Sequence, residues 1–365
     1  MTQLRVAMVS WRALPFMGGV ETHIHEVSRR LAARGVEVSV LTTDTTGELP
    51  TDEVMSGYRV RRWPAYPRSR DYYFAPGLAR YLHRTHDFDV IHVQGVHSLV
   101  PPMALFATRG THVPSVLTFH TGGNSSGLRE SLRPLQFKLI APLLRSTAAL
   151  VAVSEFERRR FADILGVPKG SIRLIRNGCD PLPIDPVAPK PDGKPLIVSV
   201  GRLERYKGHH RILQALPNIL AQAPDARLFI VGSGPYEQDL RDMAANLGVS
   251  EHLSIRGFGP EERAEMGSLV SNADVMCLLS EYEAHPVAVM EAIGTGTKAL
   301  VADTSGLSEL GYAGLATTIP LDASPEQIAA AALAVAASPR TAPPQLPTWD
   351  DCVDQLQALY REITA

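Results

Sequence analysis

The sequence predicts an α/β protein with two doubly wound parallel sheets, one in each half of the chain. Short apolar runs alternate with amphipathic segments in both halves, and strands that alternate with helices form parallel sheets. A length of 365 residues also exceeds what one ordinary core supports. We therefore predict two domains, 1–182 and 183–349, that face a central cleft, with ligands bound outside the carboxyl ends of the strands.

In the first half, most predicted strands lead directly into a helical pattern. The first helix follows Gly18-Gly19, and Gly35 ends it. The predicted strands are Leu4–Ser10, Val36–Leu41, Asp89–Gln94, Ser115–Phe119 and Ala149–Val153.

A linker without periodicity separates this half from a second half of the same plan. The linker is crowded with prolines, namely Pro181, Pro183, Pro186, Pro189, Pro191 and Pro195. The strands predicted after it are Leu196–Val200, Ala226–Val231, His252–Arg256 and Asp274–Leu279. A last helix is predicted from Asp350 to Glu362.

Composition indicates a soluble cytoplasmic protein. The hydrophobic share is 45% and the charged share 20%. Cys179, Cys277 and Cys352 show no pairing pattern, which argues against disulfides and a zinc site. No apolar run approaches the roughly 20 residues that span a bilayer. We expect no metal, no bound cofactor and no nucleic-acid partner.

The charge is distributed unevenly, which is a clue about partners. Residues 1–180 carry 23 Lys and Arg against 15 Asp and Glu, and the remainder carries 13 against 23. Positive charge is concentrated in residues 129–160, which also hold Leu132, Leu135, Leu139, Ile140 and Leu143. One hypothesis is a peripheral contact with the anionic inner face of a membrane, and hence a lipid-linked acceptor. The alternative is that these apolar side chains face the core and that the acceptor is soluble.

The most informative stretch is Glu283–Glu291, which follows the last predicted strand. Pro286 suits the first turn of a helix, so Glu283 is expected in the loop and Glu291 in the helix. The N–H groups of Val287 and Ala288 would then be free to meet phosphate. Helix-dipole stabilisation by one glutamate and solvation of the other would explain the same pattern.

Other candidate side chains also follow predicted strands. His120 ends the strand Ser115–Phe119, where it could face a ligand or only cap the strand by a local hydrogen bond. Gly18-Gly19 could admit a phosphate or a sugar, or only form a turn. Arg202 and Lys207 stand between two glycines after a buried strand, and this position favours anion binding over mere solvation.

The run Gly232-Ser-Gly234 is no dinucleotide fingerprint, because it lacks a third glycine and does not follow the first strand of a sheet. This argues against a hydride-transfer enzyme. Arg256, Gly257 and Phe258, which end and follow another strand, are further candidates for contacts to a nucleotide.

Together these segments resemble the retaining glycosyltransferases of the GT-B fold, specifically family 4. The matching pieces, in the family's order, are Gly18–Glu21, Thr118–His120, Val153-Ser154, Asn177–Asp180, Gly201–Gly208, Val231–Pro235 and Glu283–Ala292. Each piece is weak alone, but the ordered set is specific and covers the chain from end to end.

The resemblance implies a role for each matched side chain. It implies that Arg202 and Lys207 bind the diphosphate of a nucleotide sugar, most commonly a UDP-sugar. It also implies that Glu291 binds the ribose hydroxyls and that Glu283, His285 and Pro286 lie at the sugar end. His120 would act beside the sugar, and helix 350–365 would cross back onto the first domain.

The chain departs from the family pattern at three places. His285-Pro286 replaces Phe-Gly or Tyr-Gly, Gln94 stands where a histidine is common, and Cys179 replaces an aliphatic residue. The first departure leaves the donor sugar open. A sugar-nucleotide epimerase of the same fold and a non-catalytic nucleotide-sugar-binding protein are the alternatives.

Overall fold

The computed structural model describes residues 3–365 except Met17, 69–72, His97, 122–126, 189–190 and Thr341, and only the backbone of 127–135 and Pro260. The chain divides into two compact units. The first contains the described residues up to Gly178 together with the final stretch Pro347–Ala365. The second unit contains Cys179–Leu346.

The first unit is built on an eight-stranded sheet in the order β3-β4-β2-β1-β5-β6-β7-β8. Its neighbours pair in parallel except β3 and β4, which are antiparallel. The strands are β1 Arg5–Val9, β2 Glu37–Asp44, β3 Asp52–Met55, β4 Tyr58–Pro64, β5 Val90–Gln94, β6 Ser115–Thr118, β7 Ala149–Ala152 and β8 Ile172–Leu174. The helices are α1 Gly19–Ala33, α2 Pro76–Arg84, α3 Val100–Ala107, α4 Gly127–Leu144 and α5 Glu155–Leu165.

The second unit is built on a six-stranded parallel sheet in the order β11-β10-β9-β12-β13-β14. The strands are β9 Leu196–Val200, β10 Arg227–Val231, β11 Leu253–Arg256, β12 Val275–Leu278, β13 Ala299–Ala302 and β14 Thr317–Ile319. The helices are α6 His209–Leu220, α7 Glu237–Asn246, α8 Arg263–Asn272, α9 Val287–Gly294, α10 Ser305–Tyr312 and α11 Pro325–Ala337.

Both faces of each sheet are buried, as parallel sheets covered by helices require. In β1, Ala7 belongs to one apolar cluster and its neighbour Met8 to another, because successive side chains point to opposite faces. In β9, Ile197 and Val198 divide between two clusters in the same way. The predicted fold class, two doubly wound α/β domains, is confirmed.

The last helix, α12 Trp349–Thr364, packs on the first unit. Its Tyr360 is buried, and the Tyr360 hydroxyl lies 2.6 Å from Nδ1 of His92 in β5. Arg34 at the end of α1 pairs with Asp350 at 2.7 Å. Apolar burial and these polar contacts therefore join α12 to the first unit.

Candidate functional site

The strand orders identify one edge in each unit where a ligand can enter. In doubly wound sheets a crevice forms at the carboxyl ends where the strand order reverses. The reversal lies between β9 and β12 in the second sheet and between β1 and β5 in the first. The loops that follow these strands, together with the starts of α1 and α9, hold most of the candidate residues.

The loops after β9 and β12 meet through an ion pair. Nζ of Lys207 lies 2.6 Å from Oε1 of Glu283, and their side chains are 16% and 11% exposed. The Ser280 hydroxyl makes a bifurcated hydrogen bond. It donates to the same Oε1 at 3.0 Å and to the carbonyl oxygen of Lys207 at 3.1 Å. Two residues predicted from separate motifs are therefore in direct contact.

The environment keeps Lys207 charged. Burial lowers the pKa of Lys207, but the nearby charge of Glu283 and the hydrogen bond between them outweigh burial and raise it above its ordinary value. A cation held in this way, at the carboxyl edge of a sheet, is ready to meet an anionic ligand.

Gly208 allows the two loops to approach this closely. It has a φ of 74°, and a Cβ at this position would lie 2.0 Å from the carbonyl oxygen of Leu279. Any other residue would therefore push the Lys207 loop away from the loop that carries Glu283.

Arg202 is held beside the same edge by buried neighbours. Its Nη2 donates to the Tyr206 hydroxyl at 2.9 Å, and its carbonyl lies 3.2 Å from Nε2 of His209. Burial lowers the pKa of His209 to about 4, so the ring is neutral. Nε2–H therefore donates to Arg202, and Nδ1 accepts from the Ser199 hydroxyl at 2.8 Å. His209 thus fixes the backbone at Arg202.

Glu291 lies one turn into α9 and forms an ion pair with Arg263 of α8. The Glu291 side chain is largely buried. Nearby, the burial of Cys179 and, to a smaller extent, the charge of Glu291 raise the pKa of the Cys179 thiol to about 12. Sequence reasoning missed Arg263, which stands in a run of mixed charges where nothing distinguishes it.

The start of α9 differs from the prediction. Pro286 is the residue that precedes the helix and not a member of its first turn. The N–H of Val287 donates to the carbonyl of His285 at 3.0 Å, so it is not free as expected. The reason is the tight turn that Pro286 imposes. Ala288 follows as the second residue of the helix.

Arg256, Gly257 and Phe258 lie at the carboxyl end of another strand of the same sheet, and Phe258 packs against the apolar cluster that includes Met290 of α9. They end or follow β11, which is the edge strand and lies two strands from β9. The Arg256 guanidinium contacts Glu262 at 2.6 Å and lies 4.3 Å over the Phe258 ring. The side chain is thereby oriented at the rim of the sheet.

In the first unit, His120 follows β6 and is buried with a φ of 43°. Its Nε2 lies 2.9 Å from the side-chain oxygen of Gln94, which ends β5. This contact joins His120 to the neighbouring strand. The His120 ring also packs edge-on against His23 of α1, with ring centroids 4.5 Å apart.

His23 and Glu157 support this edge and were missed in the sequence. Nδ1 of His23 lies 2.9 Å from the side-chain oxygen of Asn177, and burial lowers the His23 pKa to about 4. The buried Glu157 accepts from the N–H and hydroxyl of Thr121, both at 2.5 Å. Burial raises the Glu157 pKa, against these hydrogen bonds.

Gly18 and Gly19 begin α1 at the same edge. Gly18 precedes the helix and Gly19 is its first residue. A Cβ at Gly19 would meet no atom within 4 Å, so the backbone there borders open space.

The surface predicted at 129–160 falls partly outside the described side chains, which begin again at Gln136. Leu139 is 73% exposed, whereas Ile140 and Leu143 pack partly against the core. Arg145 donates to the Leu165 carbonyl at 3.1 Å. Across the described part of the chain, no helix is long and apolar enough to cross a membrane.

Comparison with known proteins identifies the class. The model of Glycosyltransferase Family 4 matches residues 17–181, and that of Glycosyl transferases group 1 matches residues 183–340. The fold and these matches define a glycosyltransferase of the GT-B type. The chain belongs to glycosyltransferase family 4, as the motifs in its sequence predict.

Individual relatives support this assignment along most of the chain. A phosphatidyl-myo-inositol mannosyltransferase of Mycolicibacterium smegmatis is 30% identical over 313 residues, covering 82% of this chain and 76% of the relative. A D-inositol 3-phosphate glycosyltransferase of Nocardiopsis dassonvillei is 27% identical over 411 residues, covering 99% and 95%.

Solved structures show the same fold at low identity. A sucrose-phosphate synthase from Thermosynechococcus elongatus matches with a TM-score of 0.75 and 19% identity, covering 99% of both chains. Anabaena HepE, in complex with UDP, matches with a TM-score of 0.70 and 18% identity, covering 99% of this chain and all of HepE.

Proposed function

We propose that this glycosyltransferase moves a sugar from a nucleoside-diphosphate sugar to an acceptor hydroxyl, with retention at the anomeric carbon and without a metal ion. The observation that carries the proposal is the buried pair of Lys207 and Glu283 at the strand-order reversal of the second sheet. Arg202 lies at the same edge, and Glu291 follows on α9. This set supplies cations for phosphates and carboxylates for hydroxyls.

In this proposal Arg202 and Lys207 hold the diphosphate. Glu291 accepts hydrogen bonds from the ribose hydroxyls, held in place by Arg263. Glu283 acts on the sugar, and His120 acts on the sugar side of the reaction. The assignment rests on the family motifs, and the separate pairing of each carboxylate with a cation supports it.

The chemistry requires charge stabilisation at the leaving group. The bond between the anomeric carbon and phosphate oxygen breaks with its electron pair on the oxygen. The acceptor oxygen forms the new bond, and its proton goes to the departing diphosphate. Two cations at the phosphate can stabilise this charge in the transition state, which is why we propose that no metal is needed.

We propose uridine as the base of the donor. Structures of Anabaena HepE contain UDP and UDP-glucose, and HepE shares the fold of this chain. A guanosine donor is the alternative. Thermal unfolding with UDP, GDP and ADP, each at the same concentration, distinguishes them, since the ligand that binds the folded state raises the unfolding temperature.

For the acceptor we propose a hydroxyl compound of glycolipid or polysaccharide assembly, reached at the membrane surface. The exposed Leu139 beside the exposed Lys138, within the basic first half, supports a peripheral contact with anionic lipid. The relative from Mycolicibacterium smegmatis is a phosphatidyl-myo-inositol mannosyltransferase, and its lipid acceptor class agrees with this proposal. A soluble acceptor of secondary metabolism is the alternative.

Incubation with a nucleotide sugar alone, followed by NMR, tests the proposal against the epimerase of the same fold. Transfer predicts release of UDP only with an acceptor or slowly to water, and a product of unchanged anomeric configuration. Formation of an epimeric nucleotide sugar without acceptor would support the epimerase. Binding without either reaction would support a non-catalytic protein.

A further inference from the structure

The turn that begins α10, after β13, holds the loop that carries Glu283. It consists of Thr304, which precedes the helix, and of Ser305 and Gly306, its first two residues. The Thr304 hydroxyl donates to the Ser280 carbonyl at 2.9 Å, and the Ser305 hydroxyl accepts from the Glu283 N–H at 2.8 Å. The Gly306 N–H donates to the Glu283 carbonyl at 2.9 Å. Both backbone groups of Glu283 are therefore bound by consecutive residues of this turn.

Ser305 adopts a backbone conformation that serine disfavours. Its φ is 48°, in the left-handed region where a Cβ is crowded and glycine is the usual occupant. In the described part of the chain only Ser56 and His120 are the other non-glycine residues with positive φ. Strain of this kind persists where the surroundings impose it, and it is concentrated at functional sites.

The contact at Gly306 explains why the strain is imposed. A Cβ on Gly306 would lie 2.4 Å from the Ala284 carbonyl oxygen and 2.8 Å from that of Glu283. The turn is therefore pressed directly against the Glu283 backbone, and Ser305 must bend to place its hydroxyl at the N–H. Glycine would relieve the bend but would provide no oxygen for that N–H.

We propose that Ser305 is a positioning residue for Glu283, tolerated in a strained conformation because its hydroxyl fixes the Glu283 backbone. The carboxylate of Glu283 is held separately by Lys207 and Ser280, at 2.6 and 3.0 Å. Together the two sets of contacts fix both ends of the residue. This inference rests on the proposed role of Glu283 in sugar transfer.

Three substitutions at Ser305 separate the effect of its hydroxyl from the effect of its strained backbone. Ser305→Gly removes both, Ser305→Ala removes only the hydroxyl, and Ser305→Thr keeps the hydroxyl but adds a branched side chain at positive φ. We expect kcat to fall about two- to tenfold in the first two variants, because each loses one hydrogen bond to the Glu283 N–H. In Ser305→Thr, which keeps this bond, kcat should be close to that of the parent. Thermal stability should follow a different order, with Ser305→Ala below Ser305→Gly.

The matched control is Ser56→Gly. Ser56 has a φ of 47° in the exposed turn between β3 and β4, far from Glu283 along the chain and in the other unit. This variant should unfold at a higher temperature than the parent, with unchanged kcat. The assay is release of UDP from UDP-glucose, or of GDP from GDP-mannose, and calorimetry with the same nucleotide gives its Kd.

A comparison of kcat with the Kd for the nucleotide distinguishes a positioning role from a purely structural one. The Ser305 variants should lose kcat with unchanged Kd for the nucleotide, and a crystal structure of Ser305→Gly should show the Glu283 backbone displaced. Unchanged kcat in both Ser305→Gly and Ser305→Ala, or an equal loss of nucleotide affinity, would overturn the inference. If Glu283→Ala itself retains turnover, the proposed function of this site fails instead.

Discussion

The carboxyl edges of the two sheets are built from different kinds of polar side chain. In the second unit the cations Lys207 and Arg263 each pair with a carboxylate, Glu283 and Glu291. In the first unit His120 is bonded to the amide of Gln94, and the buried pair of His23 and Asn177 is neutral because burial lowers the His23 pKa. The difference supports our proposal that the second edge binds the phosphates of the donor, and we expect the first edge to meet hydroxyl groups.

The largest effect is expected at Glu283. Glu283→Ala, or the shape-preserving Glu283→Gln, should lower kcat about 100-fold or more, since a group that acts only in the transition state is lost. Binding of free UDP, measured by calorimetry, should be retained. The control is Glu281→Ala, a half-exposed neighbour that lies 3.5 Å from Arg211. Equal losses in the two variants would remove the special role of Glu283.

Lys207 should carry the next largest effect. Lys207→Ala should weaken UDP binding about 10- to 100-fold, because a charge-assisted contact to the diphosphate is lost. Lys194→Ala is the control, since Lys194 is 81% exposed at the other end of β9 and pairs with Asp274. Unchanged UDP affinity in Lys207→Ala would show that the diphosphate binds elsewhere.

A variant at Glu291 tests whether the second carboxylate of the second unit binds the ribose. Glu291→Ala should weaken both UDP binding and turnover several-fold, because the ribose contacts serve ground state and transition state alike. Deoxyuridine diphosphate provides the matched ligand. The parent should bind it less tightly than UDP, and the variant should not distinguish the two. A variant that still prefers UDP would refute the ribose assignment.

The buried His23 of the first unit predicts a stability loss in mild acid. The His23 pKa is about 4 in the folded state against an ordinary value of 6.5, so only the unfolded chain gains a proton between these values. The stability that the neutral His23 contributes is therefore fully present above about pH 6.5, falls as pH decreases, and is fully lost below about pH 4. Urea unfolding of His23→Gln should depend less on pH across this window. The exposed His86→Gln should keep the dependence of the parent.

Membrane contact should produce the smallest effect. Leu139→Ser should lower binding to anionic vesicles several-fold at low salt, because one exposed apolar side chain no longer enters the lipid surface. Sedimentation with anionic and neutral vesicles measures it, and high salt should abolish binding of the parent. The exposed Val54→Ser, on β3, is the control. No binding of the parent even at low salt would favour the soluble acceptor.

The sequence predicts the central strands of both sheets because their apolar runs are continuous and bounded by turn residues. It does not reveal the edge hairpin β3–β4, whose arginines interrupt the pattern, nor β13, whose terminal alanines favour helix as much as strand. Short edge strands such as β8 and β14 give too few residues for any periodicity.

The candidate site, too, can be predicted only in part from the sequence. Lys207 and Glu283 are each predicted from their position after a strand, but their contact across 76 residues follows only from the strand order. Arg263 and Ser305 carry no signal in the sequence. One is a surface-like arginine and the other a serine whose positive φ appears only in the fold.

A crystal structure of the protein with UDP would show directly where the diphosphate binds. We expect the diphosphate oxygens within hydrogen-bond distance of Arg202 and Lys207, and the ribose hydroxyls within hydrogen-bond distance of Glu291. A diphosphate bound at the carboxyl edge of the first sheet, away from Lys207, would contradict this expectation.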